Sequence, residues 1–261
     1  MEGVGPVVPV DDEAGRRQYL YHPAWRERRD AEKFQHMEGF ATALLEARDA
    51  AREEVADDAT LRSTAALAFC LLDLGIFRVG SDRYTDENGS YGLTTIEKQH
   101  VRRDGDSLVF EYVAKSGQDA LEPLRRRRTG GDVLLAYRGG DGWSTLGATA
   151  VNDYVKEVLG EEYSAKDFRT WRGTVIAAAA LSSSDASTKT ARKKSVAAAM
   201  REVAEHLGNT PAVARSSYVD PRVVDLFGDG VVVAGGHRAV APGEPVSRTL
   251  EKQVLELLGK A

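Results

Sequence analysis

Apolar positions along the chain recur with two periods, and the switches between them mark the elements. From Pro23 the spacing is helical, on an Arg-rich polar background that runs through Met37 and Leu44. Thr60 suits the N-cap of a second helix, which carries Leu61, Ala65, Leu67, Leu71 and Leu72 into a core and stops near Gly75. Between residues 94 and 123 the period falls to two. Leu108, Phe110 and Tyr112 alternate with Val109, Glu111 and Val113, and Asp104-Gly105 is a hairpin signal. Lys115-Ser116-Gly117 marks a second tight turn before Ala120 and Leu121, so the pattern predicts a small three-stranded antiparallel meander. Helical spacing returns over residues 148–159, 168–181 and 189–207, followed by a short helix around 211–218, and Gly208 fits the position just past the third of the longer helices. Residues 228–245, rich in Gly, Val and Pro, read as a linker. Leu250, Val254, Leu257 and Leu258 then define a final amphipathic helix. Near the start, residues 15–21 (GRRQYLY) read as an edge strand, because Tyr19 and Tyr21 alternate with smaller or polar neighbours. The fold class expected is α+β and mainly α-helical: a helical domain with a small three-stranded antiparallel β-meander.

Length and composition narrow the function classes. A chain of 261 residues with 42% hydrophobic and 29% charged positions can bury a sizeable core, in one large domain or two modest ones. The longest apolar run, residues 65–77, is broken by Asp73 and is too short to cross a bilayer, so no membrane partner is expected. No basic segment leads into an apolar one at the N-terminus, which argues against a secretory signal. The single Cys70 excludes an intrachain disulfide and a multi-cysteine metal site, and points to a reducing, cytoplasmic setting. Net charge is −5, but it is unevenly spread. Residues 98–128 carry eight Lys/Arg against five Asp/Glu and residues 166–218 nine against four, leaving −13 for the rest. Two basic stretches on an acidic chain fit a localised anion-binding face, or simply solvated helix faces.

Several chemistries find no support. The five histidines, His22, His36, His100, His206 and His237, have no metal-ligand spacing. No phosphate-binding Gly-x-x-x-x-Gly-Lys loop and no G-x-S-x-G elbow is present. No cofactor, metal or nucleotide is therefore expected. What remains is a scattered set: Arg78, Lys115, Arg169, Asn209 and Tyr218.

Around these residues lie RRQYLY (16–21), FRVGSDRY (77–84), ENGSYGLTT (87–95), AKSGQ (114–118), KDFRTW (166–171) and GNTPAVARSSY (208–218). Over roughly residues 15–230, in order and in spacing, these segments make the chain resemble the poxvirus-type bacterial DNA topoisomerase IB family. The resemblance implies a mainly helical catalytic domain with a small meander, closed on double-stranded DNA together with a separate N-terminal domain. Of that N-terminal domain this chain has room for the last strand alone. The expected organisation is a strand remnant and linker over 1–22, the catalytic domain over 23–230, and a linker with a C-terminal helix over 231–261.

Residue by residue, the resemblance makes Tyr218 the nucleophile that attacks a backbone phosphorus and releases a 5′-hydroxyl. Arg78 and Arg169 would hold the non-bridging oxygens, and Lys115, in its turn, would protonate the leaving oxygen. Asn209 stands where viral members carry His, and can donate to phosphate without carrying charge. Arg16, Gln18, Tyr19 and Tyr21 match a groove-contacting strand, and Arg29 and Tyr84 match phosphate contacts. The implied protein is a monomeric, nucleoid-associated enzyme of the cytoplasm that nicks one strand, lets the duplex swivel and reseals it.

Each residue also has a structural reading. An arginine is commonly a surface ion-pair partner, Lys115 beside Gly117 a polar turn residue, Tyr218 a helix-end tyrosine, and Asn209 the N-cap of the helix that Pro211 starts. Joint order and spacing favour the functional reading over these. A tyrosine recombinase shares the chemistry but usually has His-x-x-Arg-His where this chain has KDFRTW, and a non-catalytic DNA-binding remnant is the third possibility.

Overall fold

A computed structural model describes residues 8–11, 17–20, 23–56, 58–75, 77–80, 91–104, 107–113, 119–123, 132–235, 237, 240 and 245–261, the side chains of 8–33, 35 and 102–123 excepted. The chain divides into two compact units, Met1–Gly39 and Phe40–Ala261. The first holds an antiparallel hairpin of β1 (Val8–Asp11) and β2 (Arg17–Leu20), with Val8 opposite Leu20 and Asp11 opposite Arg17. β2 falls within the predicted edge strand. Its partner β1 was not anticipated, because four residues interrupted by Pro9 carry no periodic signal.

Helix α1 (Pro23–Glu53) begins in the first unit and continues into the second. It outruns the predicted stretch because residues 45–53 are mostly Leu, Glu, Ala and Arg, strong helix formers with no breaker. Helix α2 (Leu61–Asp73) starts where expected, with the Thr60 hydroxyl accepting the Ser63 N–H. Strands β3 (Val101–Asp104), β4 (Ser107–Val113) and β5 (Asp119–Pro123) pair antiparallel in that order, Val101 opposite Phe110 and Val113 opposite Asp119. A further hairpin, β6 (Ala136–Gly139) with β7 (Gly142–Thr145), is absent from the sequence-based reading. The Arg138 N–H donates to Ala59 O at 2.7 Å, which fixes this hairpin to the loop before α2.

The rest is helical: α3 (Ala148–Leu159), α4 (Ala165–Ser182), α5 (Lys189–Leu207), α6 (Pro211–Ser217), α7 (Pro221–Gly228) and α8 (Arg248–Leu258). α4 begins a turn earlier than its apolar pattern because Ser164 and Asp167 cap each other, Asp167 accepting the Ser164 N–H at 2.8 Å. α7 was missed in the sequence, although Asp220 caps it and Pro221 opens it. Eight residues are too few to establish a period. Among the described residues no helix is long and apolar enough to cross a membrane.

α4 runs through the core and is buried along most of its length, from Phe168 and Trp171 to Leu181. Phe168 is gripped edge-on by Phe40 of α1 and Phe69 of α2, each with ring centroids 5.1 Å away. Such edge-to-face pairs add about 0.5–1.5 kcal/mol each beyond area burial. The residue after this anchor is Arg169.

Candidate active site

Four residues singled out in the sequence lie within the described structure, and three converge on one turn. α5 ends in a Schellman arrangement: Gly208 adopts φ 57° and ψ 52°, its N–H reaches back to Glu205 O, and the Asn209 N–H donates to Ala204 O at 2.9 Å. Closing the helix this way leaves the next carbonyls, of Leu207 and Gly208, free to accept bonds from outside it. Arg169 Nη2 donates to Leu207 O at 2.5 Å. Arg78 Nη2 donates to Gly208 O at 3.1 Å and to Asn209 Oδ1 at 2.8 Å. Two guanidinium groups from distant parts of the chain are thereby anchored on adjacent residues, whose Cα atoms are about 3.8 Å apart. The carbonyl end of a helix carries partial negative charge, which favours both cations there.

Arg78 reaches the turn from an extended segment that leaves α2. Gly75, at φ 74°, lets the chain turn away from the helix against Arg172 of α4. Phe77 is fully buried, and the Arg78 and Val79 carbonyls accept N–H bonds from Leu93 and Thr94 at 2.8 and 2.9 Å. Gly80 and Gly92 complete the crossing. A Cβ on Gly80 would sit 2.8 Å from Gly92 Cα, so the two segments meet only because neither has a side chain there. The motifs at 77–84 and 87–95 are therefore backbone partners at 78–79 and 93–94.

Asn209 departs from its structural expectation. The N-cap of α6 is Thr210, whose hydroxyl accepts the Val213 N–H, and Pro211 follows at the first helical position. Asn209 is thus released from capping, and its carbonyl oxygen binds Arg78. Its Nδ2 is buried with no hydrogen-bond partner among the described residues. A buried donor left in this way calls for a functional explanation.

Tyr218 closes α6, its N–H donating to Ala214 O at 3.0 Å. The Arg169 guanidinium carbon lies 5.3 Å from the Tyr218 ring centroid, within cation–π range. Arg169 therefore links the Tyr218 ring to the α5–α6 turn at Leu207, and Arg78 binds the same turn at Gly208 and Asn209. Lys115, Arg16, Tyr21 and Tyr84 lie outside the described residues, as do the side chains of Gln18, Tyr19 and Arg29.

Two cations and a neutral amide on one turn, with a phenol against one of the cations, define a class: a site that can grip a tetrahedral oxyanion and offer it an oxygen nucleophile. The comparisons with known proteins make the class particular. Residues 22–225 match the family model described as eukaryotic DNA topoisomerase I, catalytic core. The "DNA topoisomerase 1B" of Acanthamoeba polyphaga mimivirus is 26% identical over 271 residues, covering 95% of this chain and 80% of the viral one. The Monkeypox virus "DNA topoisomerase I" and the "DNA topoisomerase 1B" of Vaccinia virus (strain Copenhagen) are each 21% identical over 226 residues, covering 84% of this chain and 71% of theirs. The chain belongs to the family of the topoisomerase I catalytic core.

Proposed function

We propose that this chain is a type IB DNA topoisomerase that uses Tyr218 as its nucleophile. The observation that carries the residue assignment is the meeting of Arg78, Arg169 and Asn209 on the 207–209 turn, with the Arg169 guanidinium over the Tyr218 ring. The Tyr218 oxygen attacks a phosphorus of the DNA backbone, the P–O5′ bond breaks, and the 3′-end is held as a phosphotyrosyl ester. Charge gathering on the non-bridging oxygens is met by the Arg78 and Arg169 forks and by the Asn209 Nδ2, which has no partner among the described residues. A phenol is a weak nucleophile near neutrality and gives up its proton to solvent as it attacks, so the cations act on the charge that gathers in the transition state. Lys115, between β4 and β5 of the meander, gives its proton to the departing 5′-oxygen.

One phosphate ester replaces another, so religation is the same reaction reversed and draws on no nucleotide. Between the two steps torsional strain turns the free end of the duplex. Arg16, Gln18, Tyr19, Tyr21, Arg29 and Tyr84 supply groove and phosphate contacts outside the centre. Residues 1–22 supply a strand and linker ahead of the catalytic domain, which spans 23–230 and is followed by a linker and C-terminal helix over 231–261, and the enzyme works as a nucleoid-associated monomer on double-stranded DNA. Relaxation of a supercoiled plasmid in EDTA without nucleotide tests this reading. Tyr218→Phe should abolish relaxation while duplex binding stays near wild type. A wild-type protein that binds duplex normally and relaxes nothing contradicts it.

A further inference from the structure

Tyr218 is held by more than its own helix. Arg169 and Gly173, four residues apart, share one face of α4. A Cβ built on Gly173 would lie 2.6 Å from Tyr218 O and 3.2 Å from Tyr218 Cβ, so the tyrosine backbone rests directly on the helix at that residue. The next residue, Thr174, is completely buried. Its hydroxyl donates to Thr170 O at 2.9 Å within α4 and accepts the Asp220 N–H at 3.1 Å. It also reaches Tyr218 O at 3.4 Å. One hydroxyl therefore pins the backbone on the far side of Tyr218 to the helix that holds Arg169 over its ring.

We infer that Thr174, with Gly173 beside it, is a positioning residue that sets the Tyr218 side chain against the Arg169 guanidinium. This rests on Tyr218 being the nucleophile. Neither residue needs to touch DNA. Their effect is on the distance from the phenolic oxygen to the phosphorus, and a displacement of about 1 Å can cost on the order of 100-fold in rate. Neither residue type announces such a role in the sequence, because a small residue and a threonine inside an apolar helix read as packing.

The test is single-turnover cleavage of a labelled nicked duplex at saturating enzyme, with the rate constant and the final amplitude read separately. Thr174→Val, which keeps the shape and removes the hydroxyl, should slow the rate constant about tenfold to a hundredfold. Duplex affinity and amplitude should stay close to wild type. Thr174→Ser, which restores the hydroxyl, should recover most of the rate, and Gly173→Ala should slow the step as Thr174→Val does. A loss seen only in amplitude or melting temperature, or a wild-type rate constant in both Thr174→Val and Gly173→Ala, overturns the inference. Should Thr174→Val fail to fold, Thr174→Ala and Gly173→Ala carry the same prediction. Tyr218→Phe is the control arm. If wild-type protein forms no adduct that Tyr218→Phe removes, the nucleophile assignment fails and the positioning role falls with it.

Discussion

Two arginines of the larger unit use the same side chain for opposite ends. Arg48 of α1 is buried and meets two carboxylates: its Nε and Nη2 bind Asp73 of α2 at 2.7 and 2.8 Å, and its Nη1 and Nη2 bind Glu251 of α8 at 2.7 and 3.0 Å. Burial works against its charge, but the hydrogen bond to Glu251 and the field of Asp73 outweigh burial and raise its pKa. The indole of Trp171 also donates to Glu251, at 2.9 Å, so α4 joins the same network. Arg78, half-buried, donates instead to a backbone carbonyl and an amide oxygen, both neutral. The charge of Arg48 is consumed in joining helices. That of Arg78 meets no carboxylate among the described residues, which is the state a phosphate-binding arginine needs before its anion arrives. α4 contributes to both sites, with Arg169 and Trp171 two residues apart in its sequence.

The two sites should therefore fail differently. Arg48→Ala strands one buried and one half-buried carboxylate, and Glu251→Ala strands part of a buried cation. Each should lower unfolding free energy by about 3–5 kcal/mol in denaturant titrations. The cleavage rate constant of the folded fraction should stay near wild type. Arg78→Ala should do the reverse, slowing cleavage by about 10²–10³ with little change in the denaturation midpoint. A variant of either site that moved both readouts equally would erase the distinction.

A smaller effect comes from His206, on the last turn of α5 beside the carbonyls that hold the arginines. Burial, reinforced by Arg172, pushes its pKa down from 6.5 to about 4. A folded-state value below the unfolded one means that the folded state resists protonation. Its contribution is therefore complete above pH 6.5 and is lost as pH falls from there through about 4. The full loss is on the order of 3 kcal/mol. Melting temperature measured across that window should fall for wild type and flatten for His206→Phe. Parallel curves would remove His206 as the cause.

How much of this was legible depends on range. The Thr60 cap, the helices at 148–159 and 189–207, and the turn glycine at 208 follow from local rules, and the structure has them. Arg78, Arg169, Asn209 and Tyr218 were found through motif resemblance, since singly each reads as an ordinary surface or helix-end residue. What escaped were features fixed by partners far along the chain. Arg48 and Glu251 are 203 residues apart, and nothing near either one indicates its partner. Thr174 and Asp220 are 46 apart. The structural alternative for Asn209, a helix cap, gives way because Thr210 is a residue closer to the helix and takes that role, leaving Asn209 to Arg78.

The central claim is that one phenolic oxygen takes the place of a 5′-oxygen on phosphorus. Its most direct test incubates the protein with a 5′-labelled nicked duplex in EDTA, followed by denaturing electrophoresis and peptide mapping of any labelled protein. A covalent adduct on the 3′-phosphate is expected, carried by Tyr218 and missing from Tyr218→Phe. An adduct on any other residue, or none from a protein that still binds the duplex, would contradict it.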